Sequence, residues 1–231
     1  MLRKVSKFFR TQNKKHIKTY AQCGEDVIID FAFKTMGMEY PTYLDIGAHH
    51  PTYLSNTYYF YKQGSKGICI EADPMLSRKI VKKRPKDMCL NIGVGSKNET
   101  ADFYIMSTPT LNTFSKEEAE RLELTTSQKI KKIVKIPLLT VHDIIEKQGE
   151  GKCPNLISLD VEGLDKTILQ SIDFKKYRPE IVCVETITFT EDSNEKKIPE
   201  IINLMIENDY LLYADTYINS IFICKRAWDK R

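Results

Sequence analysis

Two stretches decide the fold: Tyr43–Pro51, YLDIGAHHP, and Gly67–Pro74, GICIEADP. Each begins as a short apolar run and ends on acids, one with a single glycine behind it. Apolar runs of this length without polar alternation are the mark of strands covered on both faces, as in a parallel sheet. The pattern repeats along the chain. Strands are predicted at TYLDIG, KGICIEAD, DMCLNIGVG, PNLISLD and EIVCVET, with extra strands at TADFYIM and IVKIPLL. YLLYAD and SIFICK lie close enough to form a closing hairpin.

Helical spacing fills the intervals. EDVIIDFAFKTM is expected to present Val27, Ile28, Phe31 and Thr35 on its core face, and YLSNTYYFYKQG to form a helix ended by Gly64. Pro74 opens a helix running to about Arg84. Ser115 with Glu118 has the spacing of a capping box before KEEAERLE. GLDKTILQSI and IPEIINLMIEND complete the set, with Leu164, Ile168, Leu169 and Ile172 on one face and Ile198, Ile201, Ile202 and Met205 on the other helix's core side. Strands alternating with helices predict an α/β fold: a mostly parallel seven-stranded sheet, helices on both faces, and a C-terminal antiparallel hairpin. Residues 20–231 are expected to form this domain, after a basic extension at residues 1–19.

Composition fits one globular core, with 42% hydrophobic and 29% charged residues in 231. No apolar run is long enough to span a bilayer, and Met1–Lys18 lacks the apolar core of a secretory signal. Six cysteines occur without a C-x-x-C spacing, which reads as reduced thiols and a cytoplasmic location. Net charge is +4, but unevenly spread. Met1–Lys18 carries seven of the 35 Lys and Arg residues and no acid, leaving 28 basic against 31 acidic residues beyond it. That leader, with Leu2, Val5, Phe8 and Phe9, suits peripheral contact with the inner face of an anionic membrane, or else a solvated tail. Its basic residues are not interleaved with a base-stacking platform in a recognisable module, so no nucleic acid is expected as a partner.

In a parallel sheet, ligands sit beyond the carboxyl ends of the strands. The residues there are Asp45–Pro51, Glu71–Asp73, Asn91–Gly95, Asp160–Gly163 and Glu185–Thr188. An acid closing the second strand suits the vicinal hydroxyls of a ribose, a feature shared by nicotinamide, flavin and S-adenosylmethionine sites. The first loop discriminates. A dinucleotide site presents G-x-G-x-x-G to pyrophosphate. Here one glycine follows an acid, which repels a diphosphate and favours a sulfonium compound carrying an ammonium group. A nicotinamide oxidoreductase is thereby disfavoured.

The stretches Tyr43–Pro74, Arg84–Ser96, Pro137–Ile145 and Leu156–Phe174, taken in order, resemble the FkbM family of S-adenosylmethionine-dependent methyltransferases. The likeness runs from about Gln22 to Cys224, and its most specific part is Asp160–Gly163, DVEG, combined with DIGA and IEADP. It implies a Rossmann-like class I methyltransferase fold and O-methylation of a hydroxyl, typically of a sugar in a glycan or glycan precursor, or of a secondary metabolite. By position, Asp45, Gly47, Ala48 and His49 would contact the cofactor's methionine end and backbone, Glu71 with Ala72 its ribose, and Asp160 would also border the cofactor. Asp73, Gly93 and Val94 would frame the adenine. His49 and Pro51 stand where later glycines of the wider pattern fall.

A sugar hydroxyl is a weak nucleophile, so a base is expected from among His50, Asp160 and Glu162. Asp160 and Glu185, with Glu162, could instead hold Mg²⁺ through oxygens. Blander roles stand beside these: Glu162 and Asp165 suit a helix N-terminus, His49 a brace for the turn, and His142 a neighbour of the Thr140 cap. Tyr53 is near enough to the first loop to stack on a sugar. Gln22 and Asp26 either fold across the cofactor or form a solvated cap region, and Thr108–Lys132 is the expected acceptor lid. The acceptor itself is a small molecule or glycan. The other readings are a cofactor-binding protein without activity and methylation of a non-sugar metabolite; nothing in the sequence specifies an oligomeric state.

Overall fold

The computed structural model describes residues 17–161, 163–188 and 195–231. The basic leader through His16, and Glu162, therefore lie outside the described residues.

The chain runs α1 (Glu25–Thr35), β1 (Tyr43–Ile46), α2 (Tyr58–Gln63), β2 (Gly67–Ile70), α3 (Pro74–Lys83), β3 (Met88–Leu90) and β4 (Gly93–Val94). It continues through β5 (Glu99–Met106), α4 (Lys116–Thr125), β6 (Ile130–Leu139), α5 (Val141–Lys147), β7 (Leu156–Leu159) and α6 (Asp165–Gln170). Then follow β8 (Ile181–Glu185), α7 (Pro199–Glu207), β9 (Tyr210–Asp215), β10 (Asn219–Cys224) and α8 (Lys225–Trp228).

Seven strands form the main sheet in the order β3-β2-β1-β7-β8-β10-β9. The first five are parallel to one another, and β10 pairs antiparallel with both β8 and β9. This is the Rossmann-like class I methyltransferase arrangement, with β7 at the centre beside β1 and the hairpin at one edge.

The strands are apolar throughout because both faces are covered. Leu44, Ile46, Ile157, Leu159, Val182 and Val184 point into one core, with helices α5, α6 and α7 over them. Tyr43, Leu156, Ile181, Cys183, Ile221 and Ile223 point into the other, beneath α1 and α2. Cys69, Cys183 and Cys224 are buried free thiols, and all six cysteines are unpaired.

Several expectations need correction. In α1 the core face is Ile29, Ala32 and Phe33, while Phe31 is partly exposed. The apolar run is nearly continuous there, so periodicity alone does not fix the face. The second helix is shorter than read, because residues 47–57 form a long loop first. Leu164 precedes α6 rather than lying on its core face, and is partly exposed. The predicted third strand splits: Met88–Leu90 joins the main sheet, and Gly93–Val94 leaves it to pair with β6. A second sheet, β4-β6-β5, results. It carries α4 on a satellite core of Tyr104, Met106, Ala119 and Leu122. Ser115 caps α4 by accepting from the Glu118 N–H at 3.1 Å, but the Glu118 carboxylate turns to Arg121 instead of closing the box.

No helix among the described residues is long and apolar enough to cross a membrane.

Candidate active site

A cleft of about 340 Å³ opens at the carboxyl ends of β1, β2, β7 and β8. That lies within the range of small-molecule sites, roughly 300–1,000 Å³. Gly47, His49, Glu71, Ala72, Gly93, Val94, Asp160 and Glu185 line it, so eight of the expected positions converge on one space.

Gly47 sits at the closest approach in the cleft. Its φ is +82°, and a Cβ there would lie 1.8 Å from the Asp160 carbonyl oxygen. The loop is fixed by its own backbone: the N–H groups of Gly47 and Ala48 both donate to the Ile70 carbonyl, and the Asp160 N–H donates to Ile46. The ends of β1, β2 and β7 are thereby tied at one point. His49 follows in a left-handed conformation, φ +46°.

Glu71 is buried, and each of its carboxylate oxygens accepts one backbone N–H, from His49 and from Asp73, both at 2.7 Å. Burial, only partly offset by these two bonds, pushes its pKa up to about 7. Each oxygen keeps acceptor capacity toward the cleft. The buried Nε2 of His49 has no hydrogen-bond partner among the described residues. Burial also lowers the His49 pKa, which keeps the ring neutral. An unpaired buried nitrogen, a carboxylate with lone pairs to spare and glycines at the tightest backbone contacts fit an adenosine-bearing ligand.

Asp160 lines the cleft and is exposed to solvent there. The protein packed around it, and then the like charges of Asp165, Asp45 and Glu25, raise its pKa. Asp165 is buried at the start of α6 and accepts from the Val161 and Gly163 N–H groups at 3.3 and 3.2 Å. It braces the loop that carries Asp160; burial lifts its own pKa to about 6.

Four expected site residues lie elsewhere. Ala48 does not line the cleft but is buried in a cluster with Cys69 and Ile80. Asp45 does not line the cleft, because side chains alternate along β1 and its carboxylate falls on the Tyr43 face. There it accepts from the Thr57 hydroxyl and pairs with Arg84 at 3.6 Å. Arg84 has no exposure at all and also binds Asp87 at 2.7 Å, Thr57 and the Tyr43 hydroxyl. Asp73 caps α3, accepting from Met75 and Leu76, and its other oxygen accepts from Asn112 at 3.0 Å. His50 is off the cleft wall; its Nδ1 accepts from the Thr52 and Tyr53 N–H groups, so its ring shapes the loop. Glu162 lies outside the described residues. Among the described residues no group of three or more His, Cys, Asp or Glu side chains forms a metal-binding set. The described residues do not fit a Mg²⁺ site.

The structure adds residues that the sequence did not mark. Phe103 and Phe114 lie 4.7 Å apart by ring centroids and, with Leu76, wall the cleft beside Gly93, where a Cβ would meet Phe114 at 2.5 Å. Asn112 latches this wall: it donates to Asp73 and accepts from the Met106 N–H at 2.8 Å. Of the expected lid, Pro109, Thr110 and Asn112–Phe114 face the cleft, on the side of β2 and β4. On the side of β8 the wall is Leu54, Glu185, Ile187, Thr188, Glu195 and Ile218, with Gln22. Gln22 is carried there by two buried carboxylates. Asp26 accepts from the Thr19 hydroxyl and the Tyr20 N–H, and Glu25 from the Cys23 N–H, Thr216 and Asn219. His142 is remote and meets the Tyr177 hydroxyl at 3.0 Å.

Among solved structures, the chain is similar to a TehB-like SAM-dependent methyltransferase from Corynebacterium glutamicum ATCC 13032 Kitasato, with 10% identity over 96% of this chain and 97% of that one and a TM-score of 0.44. It is similar to the precorrin-6y C5,15-methyltransferase from Geobacter metallireducens GS-15, at 10% identity, 92% of each chain and a TM-score of 0.42. It is also similar to an O-methyltransferase from Bacillus cereus in complex with SAH, at 9% identity, 96% and 87% coverage and a TM-score of 0.40. No curated protein matches the chain. The sequence profile of the methyltransferase FkbM domain matches residues 45–212, well over half the chain. That span contains every strand end that builds the cleft, and the chain accordingly belongs to the FkbM family of S-adenosylmethionine-dependent methyltransferases.

Proposed function

We propose that the protein is an O-methyltransferase whose acceptor is a hydroxyl, most naturally that of a sugar in a glycan or glycan precursor. When bound, S-adenosylmethionine supplies an electrophilic methyl group on a positively charged sulfur. The chain's own residues then have two tasks, alignment of the acceptor and disposal of its proton.

On the cofactor half, Glu71 would accept from the ribose hydroxyls, and the Gly47–His49 backbone with the neutral His49 ring would border the ligand. Phe103, Phe114, Leu76 and Val94 would sandwich the adenine. On the other half, Leu54, Ile187 and Ile218 offer apolar surface for the C–H face of a sugar ring, while Glu185, Glu195, Thr188 and Gln22 offer hydrogen-bonding groups for its hydroxyls. Asp160 lies between the halves. Its raised pKa makes its carboxylate a stronger base than an ordinary aspartate, suited to receive the proton of the attacking hydroxyl.

The single observation behind this reading is that Glu71 and Asp160 line one cleft, each a carboxylate lifted above its ordinary range by its surroundings. Transfer of labelled methyl from S-adenosylmethionine to a panel of methyl glycosides tests it. Label on a hydroxyl oxygen supports the reading; label only on nitrogen, carbon or sulfur acceptors would reject it.

A further inference from the structure

We propose that the mouth of the cleft docks on an anionic membrane surface, with the basic leader as its electrostatic tether. The first observation is an apolar rim. Tyr53 is 64% exposed, Tyr217 58%, and Leu54 and Leu164 37% and 38%. Leu54 and Leu164 line the cleft itself, and Tyr53 and Tyr217 adjoin the lining residues Leu54 and Ile218. Two of the four are held out by backbone that L-residues avoid, Leu54 at φ +54° and Tyr217 at φ +76°. Such a conformation is sparsely populated and unfavourable for residues with a side chain. Large apolar side chains presented to water at that cost mark a surface that meets something apolar.

The second observation is where the leader starts. Ser55, next to Leu54 in the chain, donates its N–H to the Tyr20 carbonyl at 2.9 Å, and Asp26 grips Thr19 and Tyr20. Lys18 is two residues before Tyr20, a reach of about 7 Å at most. The described chain therefore begins beside the rim, and the sequence leading into it, Met1–Lys18, holds seven basic residues and no acid. Basic residues accompanied by Leu2, Val5, Phe8 and Phe9 match the combination that partitions into anionic headgroups. A soluble polyanion would satisfy the charge but gain nothing from Tyr53, Leu54, Leu164 and Tyr217. The membrane satisfies both, and tyrosine is well suited to its interface. The claim concerns docking, and its test reads vesicle binding rather than turnover, so it stands apart from the identity of the acceptor.

The experiment is co-sedimentation of the full chain with phosphatidylcholine–phosphatidylglycerol vesicles, with pure phosphatidylcholine vesicles and a heparin competition as the other arms. Binding to the anionic vesicles alone is expected. Lys14→Gln with Lys15→Gln should weaken it about ten-fold or more, and Tyr53→Ser with Tyr217→Ser should weaken it several-fold at unchanged charge. Calorimetric affinity for S-adenosylhomocysteine, unchanged in the leader variant, shows that the variant is folded. Equal sedimentation with both lipids, no sedimentation with either, or an anionic binding that the two tyrosine changes leave untouched would each overturn the proposal. The last outcome, with displacement by heparin, would assign the leader to a soluble polyanion.

Discussion

The carbonyl oxygen of Asp160 lies where a Cβ on Gly47 would have to go, 1.8 Å from its ideal position. The chain crosses here at φ +82°, so a side chain is refused twice, by contact and by conformation. Gly47→Ala is therefore expected to separate the ends of β1 and β7. It should lower thermal stability and weaken S-adenosylhomocysteine binding by ten-fold or more, measured by differential scanning fluorimetry and calorimetry. A variant with parental melting and affinity would remove this contact from the account.

Glu71 ties cofactor binding to pH. Its ordinary carboxylate pKa is raised to about 7 by burial, so near neutrality the folded protein holds a proton that the unfolded chain has released. Between about pH 4.5 and 7 the native state binds more protons than the unfolded state, and stability falls as pH rises through this window. The raised value corresponds to an order of ~3 kcal/mol lost by pH 8. Glu71→Gln should flatten that decline in chemical denaturation series from pH 5 to pH 8. Ribose hydroxyls donating to the carboxylate favour its charged form, so cofactor binding near pH 7 should release protons. Calorimetry in buffers of different ionisation heats reads that release directly.

Asp45 and Arg84 form part of a closed structural network, and loss of one partner leaves the other charge buried. Arg84→Met should cost about 3–5 kcal/mol in urea unfolding. Asp45→Asn, which keeps an acceptor for Thr57, should lower stability by less and reduce cofactor affinity little. A large affinity loss at parental stability would return Asp45 to the binding site.

Asp160→Asn separates chemistry from binding. Turnover should fall by about 10²–10⁴-fold with S-adenosylhomocysteine affinity near the parent's. In the parent, turnover should rise with pH as Asp160 gives up its proton and level off above its raised pKa. His50→Ala, by contrast, removes only the acceptor for the Thr52 and Tyr53 N–H groups and should act through loop stability.

Asn112 holds the aromatic wall to the cap of α3. Asn112→Ala should raise the dissociation constant for S-adenosylhomocysteine several-fold. Asn112→Asp should raise it further at neutral pH, since it sets a second carboxylate against Asp73. Equal affinity for both variants and the parent would show that Phe114 stays in place without the latch.

Much of this was legible in the sequence because it follows from short-range rules. Apolar runs covered on both faces mark parallel strands, and the residue that ends each run must lie at the sheet's carboxyl rim, which is how Gly47, Glu71, Asp160 and Glu185 were found. The same rule misled at Asp45 and Asp73. Lining up acids with strand ends says nothing of which face each side chain takes, and Asp45 is turned inward by the pleat toward an arginine 39 positions later. Asn112 and Phe114 fall within the expected lid, but no local signal assigns them, or Phe103, to this wall of the cleft. They reach the cleft only because β4 leaves the main sheet for β6, a long-range pairing that no spacing in LNIGVG announces. The face of α1 was misread for a related reason: with apolar residues on nearly every side, tertiary contact and not period chooses what is buried.

The most direct measurement is calorimetric titration of S-adenosylhomocysteine into the parent protein and Glu71→Ala. The account predicts one site per chain in the parent and an affinity reduced ten-fold or more in the variant. Absence of binding in the parent, or the same affinity in both proteins, would contradict it.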